Sequence, residues 1–525
     1  MTCKMLCASP ELWPRPTGFV NCSSKAVPTH ATLFKIIISS SPSETIDEFL
    51  RQAFNLFRED LFKLEKSISP NHDCYSVLVD VNVRGNSEPL LRLDTDESYQ
   101  LSVSPNNTVL IAKINANSFI GARNAFETLS QFAWQDPYLN TLMIFESANV
   151  TDAPRFRYRG LFLDTLHSYF PVNELLRTID AMATCKLNTF HWHMSNPQVF
   201  SLLMDSAKNF DQRDVYETEK AYTADDVRAV VSRAKLRGIR VILEVNLPSQ
   251  FGHIWDWGPS AGLGHLVYCS EEKPWSEYCG DPPCGQLNPY NPHVYQLLEK
   301  VFNDVIQLSG VEDVFHVGSD DFSKLCWMHN LNITKPLDAW IRFTKSLIRR
   351  IAKLTMKSPK LFFLRTSKLS NQMKNILEDF NFMMGLQVRH MVDQEHLSDV
   401  RTVVSHEEVW DLNSGMGAWY EPKGGAYNSW QRMYEHRPWG RSGGRWVEGG
   451  EVTCWSETLR AGGLDARIWP RAAAVAERLW SDRTEGASRS VHKRLDLHRS
   501  RIAARGVQVA PIWSMWCTQN SYSCA

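Results

Sequence analysis

The chain has no apolar run that reaches the ~20 residues of a membrane helix, so no membrane span is expected. It has no basic block, and its formal net charge is −1, which argues against nucleic acid or an anionic membrane as the main partner. The first 25 residues lack the apolar core of a signal peptide. No internal repeat or low-complexity segment is present.

What is present is ordinary in bulk and unusual in detail. Hydrophobic residues make up 43% and charged residues 22%, the balance of a globular protein. At 525 residues the chain is long enough for two to four domains, or for one large barrel with additions. The 18 Trp residues stand out. Exposed aromatic faces stack on sugar rings, although Trp is more often plain core. Of the 12 Cys, Cys517 and Cys524 sit close together near the C-terminus, and Cys279 and Cys284 share a Pro-rich loop. Such spacing suits disulfides better than metal sites, and Cys22 and Cys74 are further candidates. Sequons occur at Asn21, Asn106, Asn149 and Asn332. Together these features predict a secreted or lysosomal protein, with the missing signal peptide assigned to a truncated start.

Residues 1–153 read as a small α/β domain. Apolar strands are expected at 33–38 and 75–81, and helices at 46–64 and 122–132. From Pro154 onward strands alternate with helical stretches. Strands are expected at 158–164, 187–193, 239–246, 312–317, 360–364, 382–388, 407–412 and 452–455, and amphipathic helices most clearly at 173–185, 223–237 and 294–309. Repeated βα units predict a (β/α)8 TIM barrel over 154–482, followed by a helix and Cys-bearing tail over 483–525. Polar residues gather just after the strands, where such a barrel places its active site. The run Val314 to Asp321 is the most informative of these: an apolar strand that delivers Asp320 and Asp321 at its C-terminal end. Adjacent carboxylates repel, so one tends to hold a proton while the other ionises. That asymmetry suits acid-assisted cleavage of a sugar bond, although an isolated Asp-Asp is usually a solvated loop pair. His191 and His193 share a strand face, but no third ligand keeps useful spacing; a core or loop-holding role is expected, with no metal and no cofactor.

The ordered motifs resemble glycoside hydrolase family 20, the β-N-acetylhexosaminidases. Leu12 to Gly18 begins the similarity; Arg159 to Thr165 and Leu187 to His193 match the first two barrel strands; Trp469 to Ser481 matches the closing signature. Cys284 to Pro289 is similar to the arthropod branch. The resemblance implies a barrel enzyme that removes terminal N-acetylglucosamine or N-acetylgalactosamine from glycans or chitooligosaccharides. It implies attack by the substrate's own acetamido oxygen, the exception to the two-carboxylate scheme. By the same resemblance, a Glu protonates the leaving oxygen, the Asp before it orients the acetamido group, and a Tyr hydroxyl holds the acetamido oxygen. Trp residues wall the pocket, and an Arg and a Glu grip the outer hydroxyls.

Several matched positions carry other residues. Asp320 keeps the orienting place, but Asp321 stands where the acid Glu is expected and is one methylene shorter. Gln250 replaces a His that would tune that acid. His167 replaces the sugar-gripping Arg, and Asn196 replaces an Asp read as its support. Asp411 falls where the Tyr is expected, unless it faces away by a one-residue slip, and Arg365 falls where a pocket Trp is expected. Trp455 and Glu457 keep their places as sugar platform and hydroxyl ligand. Three readings follow: a glycan-binding protein with impaired or absent hydrolysis, a partner subunit in a homodimer or in a heterodimer with an active hexosaminidase, and an active hexosaminidase with Asp321 as its acid.

Overall fold

The computed structural model describes residues 11–65, 73–85, 87–194, 222–253, 255–280, 282–319, 322–356, 360–366, 379–380, 384–390, 400–417, 425–439, 446–514 and 516–517. Asp320, Asp321, Asn196 and Cys524 lie outside the described residues.

The N-terminal sheet is built from β1 (Val20–Cys22), β2 (Phe34–Ser40), β3 (Ser76–Val83), β4 (Tyr99–Asn106), β5 (Val109–Ala116) and β6 (Ala148–Asp152), in the spatial order β1-β6-β4-β5-β3-β2. Strict alternation in β3, with Val77, Val79, Val81 and Val83 all inward, dictates one buried face. That face is covered by α1 (Glu44–Leu64) and α2 (Phe119–Gln131). α1 starts where Ser43 Oγ accepts the Ile46 N–H, and α2 where Ser118 Oγ accepts the Gly121 N–H, each satisfying an orphan donor of the first turn. The opposite face of the sheet is less buried and mixed, with Ile37, Leu78 and Ile111 toward β2 and Gln100, Ser102 and Asn149 toward β1. A small three-stranded sheet of Ala26–Thr29, Ala133–Asp136 and Thr141–Phe145 flanks this domain.

The second body is a nearly closed parallel barrel. Its strands are β7 (Tyr158–Asp164), β8 (Thr189–His193), β9 (Arg240–Glu244), β10 (Val314–Ser319), β11 (Leu361–Thr366), β12 (Met384–Val388), β13 (Arg401–Val404) and β14 (Val447–Cys454). They run in the order β9-β8-β7-β14-β13-β12-β11-β10, every adjacent pair parallel. At the seam the Ser319 N–H donates to Leu247 O (3.1 Å). Gly318 makes that approach feasible: its φ is +91°, and a Cβ there would lie 2.2 Å from Leu247 O. The outer helices include α3 (Val172–Thr184), α4 (Ala224–Leu236), α5 (Pro292–Ser309), α6 (Lys324–Leu331) and α7 (Pro336–Ile351).

Seven of the eight expected barrel strands lie where the apolar runs placed them. The other does not. Residues 407–410 form a helical turn, α8 (Glu407–Trp410), and the strand lies earlier, at β13. The β-branched run Thr402-Val403-Val404 makes the better strand, whereas two leading Glu residues favour a helix start. Asp411 nonetheless makes a parallel bridge to Thr453.

Buried ties centred on Trp13 and Asp152 are among those that join the bodies. Trp13 is fully buried, its N–H bonded to Gln131 Oε1 (2.8 Å) and its indole N–H to Ala473 O (3.0 Å). Asp152 accepts from Lys186 Nζ (2.9 Å), Tyr99 Oη (2.7 Å) and the Trp480 indole (2.9 Å). A C-terminal helix, α9 (Arg489–Ala504), closes the joint through Arg494 on Glu477 (2.6 Å) and Arg505 on Glu127 (2.9 Å).

Cys279 and Cys284 form a disulfide, and Cys517 is also disulfide-bonded. Cys22 and Cys74 are free thiols, contrary to expectation. β1 and β3 are separated by three intervening strands, roughly 19 Å at ordinary strand spacing, beyond the reach of a disulfide. Cys269 instead pairs with Cys326, 57 residues away, a link that spacing alone did not disclose. Replacing both by Ser is expected to lower stability by roughly 2–4 kcal/mol, read as a shift of the urea midpoint. Opening the Cys279–Cys284 link, only 5 residues long, is expected to cost less; equal losses would contradict the loop-entropy account.

Candidate functional site

Strand pleating aims alternate side chains along the barrel axis, and in this chain many of these are polar. His191 on β8, Glu244 on β9, His316 on β10, Arg365 on β11, Gln387 on β12 and Glu451 on β14 are all buried. His191 Nε2 lies 2.9 Å from Glu244, and His191 Nδ1 3.3 Å from Glu451. His316 Nδ1 lies 3.1 Å from Glu244, and its Nε2 2.9 Å from Gln387 Oε1. Arg365 donates to Glu244, Gln387 Nε2 donates to Glu451, and Tyr158 Oη donates to Glu451 (2.8 Å). Burial alone would favour neutral His191, but Glu451 and Glu244 raise its pKa to about 9. Burial likewise opposes ionisation of Glu244, yet Arg365 and His316 hold it well below the usual carboxylate range.

Atoms of His191, Glu244 and His316 lie within 4.8 Å of one another, a grouping that could hold a cation. These ligands come from three strands, so spacing along one strand did not reveal them. Arg365 already occupies Glu244, and protonated His191 with Arg365 balances the two carboxylates. A divalent ion would have to enter beside that guanidinium without added negative charge, so the donor set fits a closed ion network better than a metal centre.

Above this network is the C-terminal mouth. Asp164, at the end of β7, accepts from the Ser456 N–H (3.0 Å), Ser456 Oγ (2.7 Å), the Leu166 N–H (2.9 Å) and His193 Nδ1 (3.1 Å). His167 Nδ1 lies 2.7 Å from Asp164 Oδ2, the oxygen that Ser456 also engages. Burial would raise the Asp164 carboxyl, but His167 and His193 hold it well below the usual range. Asp164 thus ties the ends of β7 and β14 together and fixes the His167 ring at the rim.

Trp455 follows β14 and sits half-buried against Phe162, 4.7 Å between ring centroids. The Arg365 guanidinium carbon is 5.4 Å from its ring centroid and that of Arg389 is 5.5 Å away. Arg389 is also paired with Glu407. Both cations lie within cation–π range of the ring. Asn413 organises the next stretch: its amide donates to Trp455 O (2.6 Å) and Glu457 Oε2 (3.4 Å), and its oxygen accepts from Arg467 (3.3 Å). Asp411 accepts from the Asn413 N–H (2.9 Å) and Ser414 Oγ (3.3 Å), folding its carboxylate over its own loop. Burial, with Glu407 nearby, raises its pKa to about 6. Gln250 has a left-handed backbone and accepts from the Asn246 amide.

The structure therefore brings His167, Trp455, Glu457 and Asp411 to one barrel mouth, with Gln250 in the loop after β9 that meets the end of β10. Asn413, Arg389 and the joining of the six axial residues into one network escaped sequence reasoning, although His191 was expected in the core and Arg365 in the pocket. A polar letter at an inward position of six of the eight apolar strands was the available signal.

Beside the mouth, at the start of α8, His406 Nδ1 lies 3.0 Å from His436 Nε2. Burial lowers both to about 4, and the mutual repulsion of two imidazoliums adds to the shift of His436. The unfolded chain takes up these protons near the ordinary value of about 6.5, so their contribution is present above that pH and is lost as pH falls toward 4. Thermal midpoints are expected to fall across that window. His436→Asn should flatten the fall; an unchanged slope would exclude the pair as its source.

Comparison with known proteins agrees with this architecture. Residues 156–483 match the model of the glycosyl hydrolase family 20 catalytic domain, and residues 12–132 match a beta-acetyl hexosaminidase-like domain. The chain is 32% identical to the probable beta-hexosaminidase fdl of Drosophila melanogaster over 578 residues, covering 100% of this chain and 87% of that protein. It is 32% identical to the chitooligosaccharidolytic beta-N-acetylglucosaminidase of Bombyx mori over 560 residues, covering 99% and 90%. Among solved structures, the Flavobacterium johnsoniae chitobiase superposes with a TM-score of 0.69 at 23% identity, covering 95% of this chain and 73% of that one. At that identity the structural likeness speaks for the fold; the sequence matches, which run through both bodies and into the barrel's closing strand, carry the lineage. With both domains matched in order and the whole chain aligned, this protein belongs to glycosyl hydrolase family 20.

Proposed function

We propose that this protein is directed at terminal N-acetylglucosamine or N-acetylgalactosamine of glycans or chitooligosaccharides, with strongly impaired or absent hydrolysis. It acts as a glycan-binding protein or as the partner subunit of an active hexosaminidase. The observation that carries this reading is the environment of Trp455: Arg365 and Arg389 lie 5.4 and 5.5 Å from the ring that would serve as a sugar platform. A sugar stacking there competes with at least one cation, each worth about 0.5–2 kcal/mol on an aromatic face. Asp411 adds to it, because a hydroxyl clamp is replaced by a carboxyl group already engaged by its own loop. Asp321, Asp320 and Gln250 supply the sequence side of the argument, an acid shortened by one methylene without its His partner.

The active reading draws on a different observation: Asn413 holds Glu457 beside Trp455, the arrangement needed to grip outer hydroxyls. Disulfides support a secretory or lysosomal setting. Among the described residues, no helix is long and apolar enough to cross a membrane.

Calorimetric titration with N-acetylglucosamine oligomers, together with co-purification from a secreting cell, tests the proposal. Binding without turnover supports the glycan-binding form, and a co-purifying hexosaminidase without binding supports the subunit form. Neither binding nor a partner would refute both.

A further inference from the structure

The less buried face of the N-terminal sheet carries three of the four sequons at exposed positions: Asn21 on β1, Asn149 on β6 and Asn106 at the end of β4. Asn149 lies in a row across the sheet, with Asn21 directly opposite on one side and Ser102 on the other. The adjacent row, two residues on and about 7 Å away, contains Thr151, Gln100 opposite it and Asn115 opposite Gln100. Asn115 is bonded in turn to Asn82 (3.1 Å). This second row lines a cavity of about 380 Å³ together with Thr17, Ser98, Arg84 and Asn117. Phe19, which follows the lining residue Gly18 and precedes β1, is 57% exposed, and its carbonyl accepts the Thr151 N–H (2.9 Å). An exposed aromatic ring beside a polar hollow of amides and hydroxyls has the chemistry that seats a sugar bearing acetamido and hydroxyl groups.

We propose that Asn149 is an N-glycosylation acceptor and that this cavity seats the first N-acetylglucosamine units of its own glycan. Asn149 lies in Asn-Val-Thr, on the same strand as Thr151, and its side chain points to solvent, so a modified chain can still pair β6 between β1 and β4. In the transfer, Asn149 Nδ2 loses a proton and bonds to the anomeric carbon of the first sugar. The bond from that carbon to the diphosphate of a lipid-linked oligosaccharide breaks, and the lipid diphosphate leaves. Asn21, opposed directly to Asn149, has its Cβ about 5 Å away. A second glycan there would overlap the first, so Asn21 stays bare on molecules modified at Asn149. The inference rests on the secretory setting proposed above.

The test expresses the full chain in a secreting eukaryotic cell and maps glycopeptides by mass spectrometry after amidase release in heavy-oxygen water. Release from the native protein is then timed for each site. Glycan is expected at Asn149, without simultaneous glycan at Asn21, and is expected to leave native protein at least several-fold more slowly than glycan at Asn106 or Asn332. Gln100→Ala with Asn115→Ala should abolish that protection. If every sequon is bare, the compartment reading and this inference both fail. Glycan at Asn106 or Asn332 with Asn149 bare overturns this inference alone. So does joint occupancy of Asn21 and Asn149, or release from Asn149 as fast as from the other sites.

Discussion

Purified protein is expected to cleave an aryl N-acetyl-β-glucosaminide at least ~10²-fold more slowly than an ordinary family member, because a proton donor misplaced by roughly 1 Å costs that much by itself. On the proposed site map Asp321 would be the shorter acid, and Gln250 would be unable to serve as its charged partner. The remaining groups compound the loss: Asp411 is engaged with the Asn413 N–H, and Arg365 is committed to Glu244. Asp321→Glu alone should therefore restore little. A fluorogenic hexosaminide assayed from acidic to neutral pH decides the matter. Turnover within a few fold of a typical hexosaminidase, unaffected by Asp320→Asn, would defeat both the inactivity and the assignment of the site. Robust activity in Asp321→Glu would show that the mouth is more complete than its substitutions suggest.

The second large effect concerns stability. Arg365→Met removes the guanidinium from Glu244 and leaves that buried carboxylate to His191 and His316. Breaking such a pair from one side is expected to cost about 3–5 kcal/mol, seen as a lower urea midpoint. Adding Glu244→Met should recover much of the loss, because removing both charges also removes the cost of burying one of them alone. A single variant as stable as the parent would mean that the ion pair contributes nothing. The network also predicts alkaline sensitivity. His191 is raised to about 9, so its contribution is complete below the unfolded value of about 6.5 and is lost as pH rises through 9, on the order of 3 kcal/mol in all. His191→Gln should lower stability near neutral pH and flatten that alkaline loss; an equally steep loss would place its origin elsewhere.

These two experiments probe parts of the molecule that the sequence disclosed to different degrees. The mouth was largely legible, since apolar strands followed by His167, Gln250, Trp455 and Glu457 place those residues at one barrel end. The axial network was not. His191, Glu244, His316, Arg365, Gln387 and Glu451 are spread over some 260 positions and meet only because the barrel closes. The seventh strand was displaced because Glu407 to Trp410 and Arg401 to Val404 both offer buried apolar residues, and local pattern does not weigh a helix start against a β-branched run. Cys269 and Cys326 were not matched for the same reason as the axial residues, their partnership being set by packing around α6.

The sequence by itself determined the two-part organisation, the parallel barrel and its lineage, because hydrophobic period and ordered motifs are local properties written along one strand or helix at a time. It also set Asp321, Gln250 and His167 at the positions where the family resemblance leads one to expect an acid, its His partner and a sugar-gripping Arg, since identity at a position needs no coordinates. Only the tertiary structure decided which charges compensate one another. Arg365 belongs to Glu244 and also stands over Trp455, and Asp411 turns into its own loop. Such pairings depend on side chains from different strands converging in a low-dielectric interior, where a difference of a few ångströms separates a satisfied charge from a prohibitive one.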